Sequence, residues 1–301
     1  MTRAICIGEC MVELRDCGGT CFKQSFAGDA FNTAVYLKRS APAIDVEFCT
    51  ATGENPLSQD MKESWAEEGI GSSLAFTVAA HTPGLYLIET DDAGDRKFHY
   101  WRKNSAARFW WRLLLAHGVQ AALTHADLVY FSGITLAILP HAERMSFLSA
   151  LRDLPATGVK IAFDPNFRPA LWDSLDEART VMEAALSVSN IVLPSSQDLD
   201  MLYMPASAEA HIERLVSLGA DEIALTSDKA GCWVRAGTIR HLLPERVVIA
   251  RDTSGAGDAF NGAYLAARLN GRDAVGAAKA GLGLAGQVVM HPGAIIDKHS
   301  M

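Results

Sequence analysis

The sequence lacks any concentration of positive charge. It has 27 lysine and arginine residues against 35 aspartate and glutamate residues, giving a formal net charge of −8 with histidine neutral. Nucleic acids and anionic membranes attract proteins through basic patches, so this balance argues against both as partners. No apolar run approaches the roughly 20 residues that span a bilayer, and no signal-like apolar segment follows Met1. We therefore expect a cytoplasmic protein that binds neither nucleic acid nor membrane.

Cysteine pairs with the spacing of metal sites are also missing. The chain has six cysteines, Cys6, Cys10, Cys17, Cys21, Cys49 and Cys232, and none of them forms a C-x-x-C pair. Two pairs lie four residues apart, but no nearby histidine or second closely spaced pair completes a ligand set. We expect reduced thiols, as in a cytosolic protein.

What the sequence does contain is an alternation of β-like runs and amphipathic helical stretches. Hydrophobic residues make up 49% of the 301-residue chain, enough for one large core. The β-like runs are Ala4–Ile7, Val46–Ala51, Leu128–Phe131, Lys160–Phe163, Ile191–Leu193 and Glu222–Leu225, and the clearest helical stretches are Gln59–Glu68, Leu175–Ser187 and Ala208–Leu218. This pattern predicts an α/β fold with a doubly wound, mostly parallel sheet and helices on both faces. Ligands of such sheets bind at the carboxyl ends of the strands.

One segment departs from this alternation. Gly84–Thr90 and Arg96–Arg102 are strand-like and rich in aromatic residues, and Asp91–Asp95 is a turn-like run between them. The pattern predicts a β-hairpin inserted into the α/β domain. If its strands pair symmetrically about the turn, Tyr86 lies on the same face as Tyr100 and Arg102. An ordinary edge hairpin is the alternative to a hairpin that covers a ligand.

The most informative string is Asp252-Thr253-Ser254-Gly255-Ala256-Gly257-Asp258, which precedes an apolar helical stretch. Backbone N–H groups at a helix start have no intrahelical partner and attract anions. Asp258 repels a phosphate unless it takes a proton from a hydroxyl that attacks the phosphoryl group. The string therefore indicates phosphoryl transfer, with an ordinary acidic first helical turn as the alternative.

This string resembles the signature of the ribokinase-like (PfkB-type) carbohydrate kinases. Ala27-Gly28-Asp29-Ala30-Phe31-Asn32 resembles the sugar-contacting glycine motif of the same family. The resemblance covers nearly the whole chain and implies a single kinase domain over residues 1–301, with a β lid inserted at about 10–26 and 82–104. It also implies ATP and Mg²⁺ as cofactors and a homo-oligomer formed through the lid.

Two arginines indicate an acidic acceptor. Arg102 ends the second hairpin strand and Arg168 follows a predicted strand, so both lie where lid and sheet meet. A guanidinium group binds a carboxylate through two parallel hydrogen bonds, although either arginine can also be an ordinary surface residue packed on aromatic side chains.

Several short motifs resemble those of the bacterial 2-keto-3-deoxygluconate kinases within this family. They are Gly8-Glu9-Cys10-Met11, Pro83-Gly84-Leu85-Tyr86, Tyr100-Trp101-Arg102, Phe131-Ser132-Gly133-Ile134 and the run from Asn166 to Trp172. The resemblance implies that the sugar acid is held by Gly28, Asp29, Asn32, Tyr86, Tyr100, Arg102 and Arg168.

On the nucleotide side the chain departs from the family pattern. Ser195-Ser196-Gln197-Asp198 stands where the family has Asn-x-x-Glu, which implies Ser195 as a nucleotide contact and Asp198 as a Mg²⁺ ligand acting through water. The resemblance implies further nucleotide contacts at Thr226, Asp228, Gly231, Gly255 and Gly257, with Asp228 in place of an expected glycine. Asp252 and Ser254 match positions that bind a monovalent cation such as K⁺ in many family members, and Asp252 as a strand-end cap is the alternative.

Together these observations predict an ATP-dependent kinase that converts 2-keto-3-deoxygluconate to its 6-phosphate. Asp258 is the predicted base, and the amides of Gly255, Ala256 and Gly257 are predicted to stabilise the transferring phosphoryl group. Two alternatives remain open. One is a kinase of the same fold for a neutral sugar such as fructose or ribose, and the other is a non-catalytic sugar-acid sensor with a decayed nucleotide site.

Overall fold

The computed structural model describes residues 2–90, 96–244 and 248–301. Within them the strands are β1 Arg3–Ile7, β2 Met11–Asp16, β3 Phe22–Ala27, β4 Asp45–Thr52, β5 Ala75–Thr77, β6 Leu85–Thr90, β7 Arg96–Trp101, β8 Leu128–Ser132, β9 Lys160–Asp164, β10 Ile191–Val192, β11 Glu222–Ser227, β12 Gly231–Ala236 and β13 Thr238–Leu242. The α-helices are α1 Asp29–Ser40, α2 Pro56–Glu67, α3 Trp110–Ala116, α4 Gly133–Ala137, α5 His141–Leu151, α6 Leu175–Leu186, α7 Ser196–Tyr203, α8 Ala208–Ser217, α9 Ala256–Leu269 and α10 Ala274–Val288.

In the part of the chain that the structure describes, nine strands form the main sheet in the order β13-β12-β11-β10-β9-β8-β1-β4-β5. All neighbours from β11 to β5 are parallel, and β12 and β13 continue the sheet antiparallel at one edge. The central strand β1 is buried on both faces: Ile5 and Ile7 belong to one hydrophobic cluster, and Ala4 and Cys6 belong to another. The predicted doubly wound, mostly parallel α/β fold is therefore confirmed.

The predicted strand runs fall within observed strands or extend one residue beyond them at one end. Helix α2 differs more, because it begins at Pro56 and not near Gln59. The Asn55 side chain accepts the Ser58 backbone N–H at 2.9 Å, and Pro56 occupies the first helical turn. These two features start the helix before its amphipathic pattern becomes visible in the sequence.

A second, four-stranded sheet in the order β3-β2-β6-β7 stands apart from the main one, and we call it the small sheet. The pairing of β6 with β7 sets Tyr86 opposite Tyr100, as the symmetric register predicts. The predicted turn at Asp91–Asp95 lies outside the described residues. Because β2 follows β1 after a short connection and β3 leads directly into α1, the base of the small sheet lies at the carboxyl end of β1. Its role as a lid over a ligand stays a prediction.

Among the described residues, no helix has both the length and the apolar character needed to cross a membrane.

Candidate active site

The two glycine motifs meet at the carboxyl edge of the main sheet. Asp29 begins α1, and Asp258 lies in the first turn of α9. The Asn32 Nδ2 group donates a hydrogen bond to Asp258 Oδ2 at 2.7 Å, which joins α1 to α9. Asn166, in the loop after β9, donates through Nδ2 to Asp29 Oδ2 at 2.8 Å. The fold thus brings together predicted site residues that are as far apart in sequence as 226 positions.

The Asp258 carboxyl group has the ionisation that a general base needs. It is half-buried, and burial is the main cause that raises its pKa to about 7. The negative charge of Asp29 raises this pKa further, whereas the Asn32 hydrogen bond and the Arg168 charge lower it. A carboxylate that titrates near neutral pH is far more basic than an ordinary aspartate and can accept a proton from a hydroxyl.

The start of α9, at Gly255 and Gly257, has open space for an anion beside backbone N–H groups, and we call it the anion seat. Gly255 precedes the helix with a left-handed φ of 72°, and a Cβ there would collide with the Ala294 backbone. Gly257 is different, because a Cβ at this position would meet no described atom within 4 Å. The Ala256 N–H donates to the Thr253 carbonyl at 3.3 Å, so it is partly engaged in the turn. The next amides, at Gly257 and Asp258, lie in the first turn, where the helix supplies no acceptor.

The small sheet contributes two tyrosines of different exposure. Tyr86 is buried, its hydroxyl donates to the Glu13 carboxylate, and burial together with Glu13 raises its pKa. Tyr100 is exposed, with its ring centre 5.7 Å from that of Tyr86. Burial of the hydroxyl raises the pKa of Tyr100, while the charges of Arg102 and Arg168 oppose that rise. The two predicted acid-binding arginines therefore act on the same tyrosine.

The two arginines have different partners. Arg102 is 10% exposed and forms an ion pair with Glu9, which is 1% exposed. Glu9 Oε1 and Arg102 Nε are buried without a hydrogen-bond partner among the described atoms. Arg168 is 52% exposed and lies 3.3 Å from Asp198. Sequence reasoning missed Glu9, although its position directly after β1, at a strand's carboxyl end, was a usable signal.

A further buried carboxylate, Asp164, was also missed. It ends β9 and accepts the Asn166 backbone N–H at 2.9 Å and the Asn261 side chain at 2.8 Å. Burial first, and then the nearby Asp198 and Asp258 charges, raise its pKa well above the ordinary range. Asn166 has a φ of 33°, a left-handed conformation uncommon for a residue with a side chain. Asp164 therefore stabilises the loop that carries Asn166 and Arg168.

The predicted nucleotide-side residues other than those at the start of α9 are found near the ends of β10 and β11. Ser195 follows β10, Thr226 lies one residue before the end of β11, Asp228 follows β11 and Gly231 begins β12. Ser195 caps α7, its Oγ accepting the Asp198 N–H at 3.1 Å, and Thr226 donates to the Pro194 carbonyl at 3.3 Å. Gln197 donates to Asp228 at 2.8 Å. Asp228 has a φ of 29°, in the left-handed region that favours glycine. Gly231 has a φ of 89° and lies against the Leu242 carbonyl, so the chain keeps the backbone shape of a glycine turn with an aspartate in it.

The acidic residues do not by themselves form a closed metal cage. Among residues 2–90, 96–244 and 248–301, no three His, Cys, Asp or Glu side chains are grouped to hold a metal ion. Asp198 is buried, and burial raises its pKa, with Arg168 and the Ser195 hydrogen bond opposing that rise. Magnesium commonly binds one or two carboxylates together with substrate phosphates and water, and a single carboxylate here fits that pattern.

The predicted monovalent cation site has clear structural contacts. Asp252 is buried and accepts the Ser254 N–H at 2.8 Å and the Gly293 N–H at 2.6 Å. These bonds tie the loop before α9 to the loop after α10. Cation binding at Asp252 and Ser254 stays a prediction.

Comparison with known proteins gives concordant results. A family model described as "pfkB family carbohydrate kinase" matches residues 1–301. The 2-dehydro-3-deoxygluconokinase of Dickeya dadantii strain 3937 is 38% identical over 98% of this chain and 97% of its own length. The enzyme of the same name from Escherichia coli K12 has the same identity and coverage. A crystal structure of a putative ribokinase II from E. coli in complex with ATP and Mg²⁺ shares the fold, with a TM-score of 0.85 at 21% identity over 98% of this chain and 94% of that one.

Proposed function

The chain belongs to the pfkB family of carbohydrate kinases, and from this premise we propose that it phosphorylates 2-keto-3-deoxygluconate (2-dehydro-3-deoxygluconate) with ATP. The product is the 6-phosphate. The near-full-length relatives at 36–38% identity that carry the name 2-dehydro-3-deoxygluconokinase support this acceptor. The single structural observation that carries the proposal is the Asp258 carboxylate, poised near neutral pH at the start of α9.

The proposed chemical step is an in-line transfer. Asp258 takes the proton of the acceptor's terminal hydroxyl as that oxygen forms a bond to the γ-phosphorus of ATP. The bond from the γ-phosphorus to the bridging oxygen breaks, and ADP leaves with the electron pair. The amides at Gly257 and Asp258, with a lesser part for Ala256, face the negative charge that spreads over the transferring group. Gly255 serves by giving the chain the left-handed turn that starts α9.

Acid recognition is assigned to the side of the site nearest the small sheet. Arg168, half in solvent, and Arg102, fixed by Glu9, both act on Tyr100 and offer donors to a carboxylate. Asp29, held by Asn166, is the proposed acceptor for sugar hydroxyl groups. Gly28 allows this close packing, since a Cβ there would collide with the Glu9 carbonyl. Tyr86 is assigned to the wall of the site, because its hydroxyl is already bonded to Glu13.

ATP and Mg²⁺ are the proposed cosubstrate and metal, as in the ATP–Mg²⁺ complex of the structural neighbour. Asp198 would hold the metal through water, and the bound metal would neutralise charge on the phosphates. Ser195, Thr226, Asp228 and Gly231 shape the loops beside the nucleotide, and K⁺ at Asp252 and Ser254 is proposed as an additional ion. Use of ATP favours a cytoplasmic location. The exposed Trp101 side chain, on the face of the small sheet opposite to Tyr100, favours a homo-oligomer.

A kinase for a neutral sugar is the second candidate, because the same base and anion seat serve any hydroxyl. The two arginines whose charges act on Tyr100, Arg102 and Arg168, favour a sugar acid as the acceptor. The sensor alternative rested on the Asp228 departure, and Asp228 has a φ of 29°, in the left-handed region that favours glycine. An intact base beside an open anion seat also favours an enzyme.

A coupled assay for ADP release tests the proposal across sugars and sugar acids. We expect turnover with 2-keto-3-deoxygluconate, and a kcat/KM for fructose and ribose lower by at least tenfold, the loss of one charged bidentate contact. A higher kcat/KM for a neutral sugar would overturn the acceptor assignment. Absence of ADP release with every acceptor, in the presence of Mg²⁺ and K⁺, would overturn the kinase assignment.

A further inference from the structure

The Asn32 side chain is held at both ends of its amide. It is 4% exposed, and its Oδ1 accepts the Gly28 backbone N–H at 3.2 Å. Because a backbone N–H is always a donor, this contact identifies Oδ1 and places Nδ2 against Asp258 Oδ2 at 2.7 Å. The amide group is therefore committed to the carboxylate of the proposed base. That differs from a direct sugar contact, which is the role that the family resemblance implies for Asn32.

We propose that Asn32 is a positioning residue for Asp258. The Asn32 amide binds Oδ2 of Asp258, which leaves Oδ1 of Asp258 for the proton transfer. The same bond stabilises the ionised carboxylate in the orientation that meets the acceptor hydroxyl. This inference rests on the proposed kinase function, since it concerns the base of that reaction. The hydrogen bond itself is a property of the protein and can be tested without substrate.

The surroundings of Asp258 make this hydrogen bond consequential. Several charged or titratable residues interact electrostatically with Asp258. They are Asp29 and Tyr36 on α1, Tyr130 on β8, Asp164 on β9 and Arg168 after β9. Burial and Asp29 favour the protonated form, while Asn32 and Arg168 favour the anion. Since Arg168 is half-exposed and also paired with Asp198, loss of the Asn32 donor shifts this balance toward the protonated acid.

The chain offers a matched control in Asn166. It makes the same kind of bond, from an amide to a carboxylate at 2.8 Å, but to Asp29 and not to Asp258. Removing this donor leaves the Asn32–Asp258 hydrogen bond in place. Loss of the Asn32 donor is therefore expected to change the ionisation of Asp258, and loss of the Asn166 donor is not.

The experiment measures the pH profile of kcat/KM for 2-keto-3-deoxygluconate, which reports ionisation of the free enzyme. We expect the wild-type acid limb near pH 7. In Asn32→Ala it should move up by about one to two pH units, the range for a lost hydrogen bond to a charged group, with most of the rate recovered above the new limb. In Asn166→Ala the limb should stay at its wild-type position. An unmoved limb with a raised KM in Asn32→Ala would show that Asn32 only contacts the sugar, and would overturn the proposal.

A titration of Asp258 by ¹³C NMR, assigned with Asp258→Asn, gives the same comparison without catalysis. If the wild type has no kinase activity but Asn32→Ala still raises the Asp258 pKa, the proposed function fails and the Asn32–Asp258 coupling stands. An unchanged Asp258 titration overturns the coupling itself. Should Asn32→Ala not fold, the near-isosteric Asn32→Asp is measured instead. It places a second carboxylate beside Asp258, so we expect a larger upward shift, and no shift would contradict the proposal.

Discussion

Arg168 provides the sharpest test of acid recognition, because its side chain can be removed with little effect on folding. It is 52% exposed, and its contact with Asp198 is a long one at 3.3 Å. A bidentate hydrogen bond between an arginine and a substrate carboxylate contributes about 1.5–3 kcal/mol. We therefore expect Arg168→Ala to lower kcat/KM for 2-keto-3-deoxygluconate by roughly 10–150-fold. Arg168→Lys should also be impaired, because an ammonium group cannot reproduce the two parallel bonds.

Arg102→Ala makes an instructive contrast. Glu9 lies almost entirely inside the protein, and removing Arg102 leaves its carboxylate buried without a compensating charge. Breaking a buried ion pair from one side destabilises proteins by about 3–5 kcal/mol. We expect Arg102→Ala to lower the melting temperature, whereas Arg168→Ala should leave it within a few degrees of the wild-type value.

The assay compares kcat/KM for 2-keto-3-deoxygluconate and for fructose in wild type and in each Arg168 variant, with KM for ATP measured alongside. Because the Arg168 charge also lowers the pKa of Asp258, the rates are compared above the acid limb of each variant. There the loss must be selective for the acid, since a neutral sugar has no carboxylate to lose. Equal losses on both acceptors, or a loss seen mainly in KM for ATP, would mean that Arg168 serves Asp198 and the nucleotide side. The sugar-acid assignment would then lose its physical support.

Three further predictions follow from Asp258 and Gly257. Asp258→Asn should lower kcat by roughly 10²–10⁴-fold with KM nearly unchanged, and a variant that keeps more than about a tenth of wild-type kcat would show that Asp258 is not the base. The same variant should be more stable than wild type at pH 8 and equally stable near pH 4. A native pKa of about 7 against the ordinary value of 3.8 means that wild-type stability falls as pH rises through this window, by up to about 4 kcal/mol. Urea unfolding at the two pH values measures the difference, and equal stability at pH 8 would contradict the raised pKa. Gly257→Val should remove most activity with an unchanged melting temperature, because its Cβ enters open space and not the core, and Gly257→Ala should be intermediate. A fully active Gly257→Val would argue against the anion seat.

The features that could be predicted from the sequence are those that depend on residues close together along the chain. Continuous apolar runs gave the parallel strands, because such strands are buried on both faces. The pairing of Tyr86 with Tyr100 follows from counting outward from one turn. Likewise the glycines around Asp258 indicate a helix start, and α9 begins at Ala256.

The hydrogen-bond and ion-pair partners of the site residues could not be predicted in this way. Glu9 and Arg102 are 93 positions apart, Asn166 and Asp29 are 137 apart, and Asn32 and Asp258 are 226 apart. A residue type shows which bonds a side chain can make, but its partner depends on how the strand ends converge. Sequence therefore proposed Asn32, Tyr86 and Arg102 as direct ligands of the sugar, and the fold gives each of them a carboxylate of the protein as well.

The amide that bonds to Asp258, the proposed base, is uncharged, and this affects how basic the carboxylate remains. A cation beside a carboxylate commonly lowers its pKa by one to three units, which would make Asp258 a weak proton acceptor. A hydrogen bond from an uncharged amide fixes the carboxylate with a smaller cost in basicity, and the nearby cation, Arg168, is half in solvent and shared with Asp198. General-base catalysis is most efficient when the pKa lies near the working pH. An asparagine at position 32 therefore suits the site better than a lysine or arginine, because it orients Asp258 and leaves its pKa near 7.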